Sequence, residues 1–465
     1  MSKNFSYIFG PDSSGNTEKE RARTSKFEFV RSQDHLALAK DTSRGRRLTA
    51  YEAYVSYGLS KLEEVADRGS AVLVSSLEEP AQTIRTRRQA LGIKSIDISK
   101  ATGLSESDVL DCENINTRTS IRKIEKVAMA LGLDERQLAV SRGAGGDPKL
   151  AFRLKELGGS ANISPAVVLT LTEAAWVIET QIRLLHEISR APTIYKNFVP
   201  SNNYGDANYP AWKQGYFLAD QARSILGIQA DEPIPSLRKV CNQLGIPLVQ
   251  AKLPRSIAGA TISNGQTRGI VVNTEGFNAN VFVRRATIAH ELGHVLWDPE
   301  QKLESIRVDE YTELEQHSSQ NSDFVEARAN AFAIAFLAPP AAVAKEYMHQ
   351  ADSINNLEKL MNIFGISYSA TKHHITNVVD AAHIADRLVD TEPPADWKGR
   401  ESFTDDFFPF KETPAARRGE FAGIVIEAQT KGIISEDTAA QYLCVDINEY
   451  KLHSESIFSL FQATD

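Results

Sequence analysis

The chain has 465 residues, of which 42% are hydrophobic and 24% are charged, and this length fits two to three folded domains. Its formal net charge of −8 excludes a global attraction to nucleic acid or to anionic membranes, so such binding would need a local basic patch. The three cysteines lie far apart and form no CxxC pair, which argues against a disulfide framework and a thiolate zinc site. No apolar run approaches the roughly 18 residues that a membrane span needs. We therefore expect a cytoplasmic protein that makes no contact with a membrane.

The N-terminal residues fall into two patterns. Residues 1–48 are polar, contain the basic run 43–47 and lack a sustained periodicity, so we expect a flexible arm. In residues 49–79, apolar side chains recur at three- and four-residue spacing, which predicts a helical segment with one buried face. This second stretch carries no residues that indicate chemistry.

A small helical domain and a long helix follow. Several short helical patterns separated by glycines predict an all-helical domain over residues 80–142. The next stretch, residues 143–210, begins with a Gly-rich break. Within it, Ser164 followed by Pro165 predicts the start of a long amphipathic helix that ends near residue 190. We expect this helix to connect two domains.

Residues 211–391 are expected to form an α+β domain. Two strand-like stretches, 247–251 and 269–273, precede a helix at 282–296, and further helices follow it. The last residues, 392–465, begin with a break rich in proline and phenylalanine and end in a helical segment. The predicted fold class is therefore multidomain and mainly α, with one α+β domain.

The first long helix of this domain contains the sequence His-Glu-Leu-Gly-His, which starts at His290. Residues i and i+4 lie on the same face of a helix, so His290 and His294 can present two imidazole nitrogens to one metal ion. Zinc with three protein ligands keeps a position for water, and Glu291 can accept a proton from that water as it attacks a carbonyl carbon. These five residues alone are also compatible with two surface histidines that have a structural role and bind no metal.

A second helical stretch, residues 324–333, supplies a candidate for the third ligand. Glu326 and Asn330 lie one turn apart in it, so Glu326 can bind the metal and Asn330 can accept the outer N–H of one histidine. The alternative is that both are polar residues on the solvent face of a core helix. Because most of this stretch is apolar, we expect both side chains to be buried toward the first helix.

At these residues the chain resembles the ImmA/IrrE family of metallopeptidases. The matching pattern comprises Ala289–His294, Glu326, Ala329, Asn330, Phe332, Ala333, Leu337 and Pro339. The resemblance extends from about Tyr216 to Asn377, and it includes a strand that ends in an asparagine, here Asn273.

The resemblance implies a zincin-like domain of the gluzincin type and a zinc-dependent endopeptidase. One Zn²⁺ per chain would be held by His290, His294 and Glu326. Glu291 would be the catalytic acid and base. We expect an extended substrate to pair with an edge strand that ends at Asn273.

A polar stretch between the two helices, residues 300–322, is expected to form a flexible lid. It contains Tyr311 and His317, which are candidates for lid residues or for stabilising the transition state. Other histidines compete for this second role: His349, His373 and His374. The sequence does not rank these candidates.

Residues 81–140 resemble a helix-turn-helix domain of the XRE/Cro type. The matching stretches are Ile84–Leu91, Ile98–Ser105, Glu106–Asn114 and Ile121–Leu133. The most specific feature is the turn at 101–105, after which the recognition helix of such domains begins and enters the major groove. The resemblance implies an all-α domain N-terminal to the peptidase domain.

The recognition helix of this domain is acidic and contains no Arg, Lys or Gln, so phosphates would repel it. Basic residues around it are candidates for contacts with nucleic acid: Arg85, Arg87, Arg88, Arg118, Arg122 and Lys123. A domain for protein contacts or for forming a homodimer fits the sequence equally well. The sequence makes DNA a doubtful partner without excluding it.

Two functions are compatible with these features. The first is an intracellular zinc endopeptidase that uses metal-activated water to cleave a protein substrate, either a regulator or a partner in stress response or phage defence. The second is a DNA-binding transcriptional regulator whose peptidase-like domain senses a ligand or a partner. The complete set of metal ligands favours the first.

Overall fold

The structure is a computed structural model, and it describes residues 5–138, 140, 163–192, 194–206, 208–263, 267–299, 303, 307–310, 324–348, 353–379, 392–401 and 408–462. The chain divides into two compact units. The first unit comprises Met1–Ala191 with Thr404–Asp465, and the second comprises Pro192–Phe403. The described part of each unit is mainly helical, as predicted, and contains a four-stranded sheet.

The first unit opens with short helices and an antiparallel sheet. Its N-terminal elements are α1 (Ser6–Phe9), α2 (Glu18–Thr24), β1 (Glu28–Arg31), β2 (His35–Leu38), β3 (Arg46–Thr49), α3 (Ala50–Tyr57), α4 (Leu59–Arg68) and β4 (Ser70–Val72). The strands lie in the order β3-β1-β2-β4. Phe29 at the centre of the sheet is opposite Leu38 on one side and Leu48 on the other.

The structure differs here from the flexible arm expected for residues 1–48. Strands of four residues are too short to show a clear periodicity, and basic residues that suggested solvent exposure are buried in ion pairs. Arg31 and Arg46 are each 1% exposed or less, and they lie 3.1 and 3.0 Å from the carboxylate of Glu125. The polar composition of these residues therefore led to the wrong prediction of a flexible arm, where the structure has a packed sheet.

Four helices follow in the region that resembles a helix-turn-helix domain: α5 (Ala81–Ala90), α6 (Ser95–Thr102), α7 (Glu106–Cys112) and α8 (Ile121–Ala130). Gly103 ends α6 with φ of 70°, a left-handed conformation that favours glycine. Ser105 begins α7, because its hydroxyl accepts the backbone N–H of Asp108 at 3.1 Å. The break between α6 and α7 therefore lies at the turn predicted from the sequence.

The long helix predicted near residues 164–190 is α9 (Pro165–Glu187). It was expected to connect two domains, but it is a core helix of the first unit. Its most deeply buried residues are Leu171, Thr172, Ala174, Val177 and Leu184. Trp176 is 2% exposed and donates its indole N–H to Glu135 at 2.7 Å. Burial on several faces distinguishes this helix from a solvent-exposed connector.

The second unit is an α+β arrangement that extends beyond the predicted boundaries 211–391. Its elements are α10 (Ala211–Leu226), α11 (Leu237–Leu244), β5 (Leu248–Ala251), β6 (Ile257–Ser263), β7 (Arg268–Asn273), α12 (Val281–Trp297), β8 (Arg307–Glu310), α13 (Phe324–Leu337), α14 (Pro340–Met348), α15 (Ser353–Phe364), α16 (Tyr368–Val379) and α17 (Ala395–Arg400). The strand order is β5-β7-β6-β8. Strands β5 and β7 are parallel, and the other neighbours are antiparallel.

The strand that ends at Asn273 is β7, and it is not an edge strand. It pairs with β5 on one side and with β6 on the other, so its backbone cannot add an extended substrate. The sequence-based expectation of substrate pairing at this strand was wrong. Asn273 instead organises the loop before β6, because its amide donates to the backbone carbonyl of Ile257 at 2.8 Å.

Helices α12 and α13 approach each other closely in the core of the second unit. A Cβ atom at Gly293 would lie 2.8 Å from the ring of Phe332, so the contact requires glycine. At the other end of α12, the buried Arg285 donates to the carbonyl of Gly365 at 3.0 Å and forms an ion pair with Glu401. These contacts fix α12 against α13 and against the residues that follow α17.

The predicted C-terminal segment, residues 392–465, is shared between the two units. Its later part forms α18 (Glu420–Thr430), α19 (Glu436–Tyr442) and α20 (Ile447–Gln462) of the first unit. The hydroxyl of Thr438 donates to Glu52 at 2.6 Å and accepts from Arg46 at 2.9 Å, and all three side chains are buried. The C-terminal helices therefore complete the core of the first unit.

Among the described residues, no single helix is long and apolar enough to cross a bilayer, although one bent pair, Phe324–Leu337 with Pro340–Tyr347, passes by length and composition alone.

Candidate metal centre

Helix α12 positions two histidines of the candidate site. The helix begins at Asn280, whose side chain accepts the backbone N–H of Phe282 at 2.9 Å. His290 and His294 lie one turn apart, and their Nε2 atoms are 3.1 Å from each other. The two residues are 1% and 0% exposed. Two imidazole nitrogens therefore converge on one point inside the second unit.

Helix α13 brings the carboxylate of Glu326 to the same point. One carboxylate oxygen lies 3.3 Å from Nε2 of His290, and the other lies 3.3 Å from Nε2 of His294. Tetrahedral zinc with bonds of 2.0–2.2 Å to nitrogen and oxygen would separate its ligand atoms by about 3.3–3.5 Å. The described residues thus offer a set of three ligands with nearly the spacing that a tetrahedral metal ion needs, and all three ligand atoms lie within 4.8 Å of one another.

Glu326 and His294 each shift the pKa of the other. Burial raises the pKa of Glu326, but hydrogen bonds with His290 and His294 outweigh it and hold the pKa well below the usual range. Burial also lowers the pKa of His294, but hydrogen bonds with Asp298 and Glu326 outweigh it and raise the pKa. A carboxylate that stays ionised beside two imidazoles is suited to compensate the charge of a divalent cation.

The outer nitrogen of each histidine also faces an oxygen acceptor. Nδ1 of His290 lies 2.8 Å from the side-chain oxygen of Asn330, and Nδ1 of His294 lies 2.9 Å from the carboxylate of Asp298. Because these oxygens only accept, each Nδ1 donates its proton to them, and each Nε2 would present a lone pair once a metal ion replaced the hydrogen bonds between Nε2 and Glu326. Asn330 was expected in this position from the sequence, whereas Asp298 was not.

Asp298 is in turn paired with Arg328 of α13. Asp298 lies four residues after His294, directly beyond the last residue of α12, and this spacing is a signal that the sequence contains. Arg328 gives no such signal, because its contact with Asp298 depends on how α12 and α13 pack. Both residues are 2% exposed.

Glu291, the candidate general base, lies against strand β6. It is 0% exposed, and the hydroxyl of Thr261 donates to its Oε2 at 2.7 Å. A Cβ atom at Gly259 would lie 2.8 Å from its Oε1. Gly259 and Thr261 lie two residues apart and therefore on the same face of the strand, and together they hold the carboxylate in place. Sequence reasoning missed both, because threonine and glycine in a strand carry no specific signal.

Several other candidates do not join this group. Tyr311, His317 and His349 lie outside the described residues, as does most of the predicted lid. His374 is buried between helices, where its Nδ1 accepts the hydroxyl of Tyr216 and its Nε2 donates to the carbonyl of Ala338, both at 2.7 Å. Both ring nitrogens of His374 are therefore engaged in structural contacts.

Three of the basic residues proposed to contact nucleic acid are engaged within the first unit. Arg87 is 5% exposed and donates to the carbonyl of Leu131 at 3.0 Å. Arg88 forms a two-bond contact with Glu113 at 2.6 and 2.8 Å, and Arg85 donates to the backbone carbonyl of the same residue. These guanidinium groups hold the helices together.

The other three basic residues have acidic neighbours. Arg122 lies 2.5 Å from Asp437, and Lys123 lies 2.6 Å from Asp108 of α7. The ion pair of Arg118 is longer, at 3.6 Å from Asp34, and this arginine side chain is 91% exposed. Among the described residues, nearby carboxylates therefore neutralise most of the positive charge of Arg118, Arg122 and Lys123.

A comparison with known families finds a match that includes the residues of the candidate site. Residues 241–376 match a peptidase family that is described as the IrrE N-terminal-like domain. The match covers less than a third of the chain, and it supports the ImmA/IrrE-type peptidase domain expected from the sequence. A comparison with curated proteins finds no match.

Proposed function

We propose that the chain is a zinc-dependent endopeptidase that cleaves a protein substrate inside the cell. The observation that carries this proposal is the convergence of His290, His294 and Glu326 on one point. The buried Glu291 directly follows His290 in the sequence. The match of residues 241–376 to a peptidase family supports it. In keeping with the ImmA/IrrE resemblance, the substrate we propose is a regulatory protein or a partner in stress response or phage defence.

The donor atoms fit zinc, which prefers imidazole nitrogen and carboxylate oxygen and takes three protein ligands in hydrolytic sites. When bound, the ion would polarise the scissile carbonyl and lower the pKa of a water molecule at its fourth position. In this proposal His290, His294 and Glu326 hold the ion. Asn330 and Asp298 keep the two imidazole rings in the orientation and tautomer that ligation requires.

Glu291 would carry out the proton transfers. Its carboxylate takes a proton from the attacking water as the water oxygen adds to the carbonyl carbon. It then gives that proton to the amide nitrogen as the carbon–nitrogen bond breaks. One water molecule is consumed, and two peptides with a new carboxylate and a new amine are released. The hydrogen bond from Thr261 to Oε2 would orient the Glu291 carboxylate for these transfers.

Metal analysis of protein purified without chelators tests this proposal. We expect one equivalent of zinc in the wild type and in Glu291→Gln, and loss of zinc in His294→Ala. Only the wild type should cleave protein, because the amide of Glu291→Gln cannot accept the proton. Chelator-free protein that contains no zinc would overturn the enzymatic assignment.

We propose for helices α5–α8 a contact with protein rather than with DNA. The support is the acidic character of α7, together with the exposure of Leu110 and Ile115, which are 51% and 48% exposed. Titration with random duplex DNA at increasing salt tests this. We expect no binding even at low salt, and binding whose affinity falls steeply with salt would instead favour the regulator hypothesis.

A further inference from the structure

A continuous set of contacts leads from the metal centre to the segment that precedes α10. His294 faces Asp298 at 2.9 Å, and Asp298 is paired with Arg328. Arg328 also donates to the backbone carbonyls of Ser201 and Asn203 at 3.3 and 3.2 Å. The segment that Arg328 reaches is therefore linked to His294, a candidate metal ligand, by three contacts through Asp298 and Arg328.

The same segment contacts the end of α12 directly. The backbone N–H of Ser201 donates to the carbonyl of Trp297 at 2.9 Å, and the rings of Phe198 and Trp297 meet edge to face at 5.4 Å. The guanidinium of Arg328 stacks on the ring of Tyr204 at 4.4 Å. We call residues 198–204 the anchor segment. It precedes the residues that match the peptidase family.

The placement of Asp298 has an electrostatic cost that its neighbours must offset. Asp298 follows the last residue of α12, where the partial charge of the helix end is negative, so a carboxylate there is disfavoured. Burying this carboxylate adds a further cost, which only a close counter-charge offsets. Arg328 supplies that charge. It also fixes which way the carboxylate faces, because its guanidinium is held by two carbonyls of the anchor segment.

We propose that Asp298 and Arg328 are positioning residues that set the zinc affinity of His294, and that they couple zinc binding to docking of the anchor segment. This inference rests on the proposed zinc site. Zinc holds His294 in the orientation that Asp298 and Arg328 favour, so a docked anchor segment tightens zinc binding. By reciprocity, bound zinc must stabilise the docked segment by the same factor. The coupling gives the residues before α10 a means of controlling the metal centre.

Zinc affinity, measured by competition with a chromogenic chelator, tests the positioning role. We expect Asp298→Asn and Arg328→Lys to bind zinc about 10- to 100-fold more weakly than the wild type, the range seen when partners of metal ligands are removed. Phe198→Ala keeps Asp298 and Arg328 but removes the ring that packs the anchor segment against Trp297, and we expect it to weaken zinc binding several-fold. Asp231→Asn is the matched control, since Asp231 forms an exposed ion pair with Lys345 in the same unit and should leave the affinity unchanged.

Amide hydrogen exchange tests the coupling itself. Adding zinc to the wild type should slow exchange in residues 198–204, and Arg328→Lys should reduce this protection. Far-UV circular dichroism of each variant separates a folding defect from a local effect. Wild-type protein that binds no zinc would overturn the proposed function itself. Zinc binding by the wild type with unchanged affinity in Asp298→Asn, Arg328→Lys and Phe198→Ala would overturn this inference alone.

Discussion

Glu291 is held by two residues of β6 that together restrict its orientation. The hydroxyl of Thr261 donates to one oxygen at 2.7 Å, and the missing side chain of Gly259 makes room for the other. A carboxylate that must meet a substrate gains from such support, because a general base acts only within hydrogen-bond reach of its proton. At the scale of single residues, the proposed role of Glu291 therefore depends on neighbours that would take no part in the chemistry themselves.

Replacing Thr261 with valine removes the hydrogen bond and keeps the shape of the side chain. Loss of a hydrogen bond to a charged group typically costs about 1.5–3 kcal/mol, so we expect kcat to fall at least tenfold. KM and zinc content should stay near wild-type values. Steady-state kinetics on an identified substrate measures this, with Thr261→Ser as the matched control that restores the hydroxyl. A Thr261→Val enzyme with wild-type kcat would show that the bond does not matter for catalysis.

His374 gives the second unit a predictable response to acid. Burial lowers its pKa from the model-compound value of 6.5 to about 4, although its bond to the carbonyl of Ala338 opposes this. The unfolded chain therefore takes up a proton near pH 6.5 that the folded protein accepts only near pH 4. The free energy of unfolding therefore decreases by up to about 3 kcal/mol as the pH falls from 6.5 to 4.

Denaturant unfolding at several pH values, in the wild type and in His374→Gln, isolates this effect. The difference in unfolding free energy between the two proteins should shrink as the pH falls from 7 to 4.5, because only the wild type carries the histidine. A difference that is constant with pH would mean that His374 does not titrate as its buried contacts imply.

Part of the site could be predicted at the residue scale. His290, His294, Glu326 and Asn330 follow the four-residue repeat of a helix, which the sequence displays. Thr261 and Arg328 could not be found in this way, because each meets its partner only through the packing of separate elements.

At the scale of elements, the separation of α12 and α13 determines whether a three-ligand site can form. Gly293 permits this separation, because any larger side chain would meet the ring of Phe332. Both helices were predicted from the sequence, at 282–296 and 324–333. The N-terminal sheet was not predicted, because its strands are short and because Arg31 and Arg46 lie in buried ion pairs. From composition alone, arginines are expected at the surface.

Gly293→Ala should push α12 and α13 apart. Overpacking of this kind costs about 1–3 kcal/mol, so we expect a lower melting temperature and weaker zinc binding. Gly399→Ala in α17 is the matched control, because a Cβ there meets nothing within 4 Å. That control should be neutral or stabilising by up to about 1 kcal/mol. Equal effects of the two substitutions would contradict the role assigned to the close contact at Gly293.

At the scale of the whole molecule, the first unit is assembled from both ends of the chain. Glu125 lies between Arg31 and Arg46 and also accepts a bond from Gln441 of α19 at 2.9 Å. The sequence suggested an arm, a connector and a separate tail for these regions. Contacts between residues that lie more than 300 positions apart have no local signal, so this arrangement could not be predicted.

Glu125→Gln removes the charge that two buried arginines share. Breaking a buried ion pair from one side costs about 3–5 kcal/mol, and we expect the unfolding free energy of the first unit to fall by that amount. The control is Glu436→Gln, whose exposed pair with Lys451 should change stability by about 1 kcal/mol or less. Differential scanning calorimetry resolves the effect, and similar losses in the two variants would argue against a central role for Glu125.

The most direct test of the proposed endopeptidase compares new protein N-termini in cells that produce the wild type with those in cells that produce Glu291→Gln at the same level and zinc content. We expect a small set of cleavage sites that occur with the wild type only. Identical sets of N-termini in the two cultures, with both proteins folded and loaded with zinc, would show that the protein is not an endopeptidase.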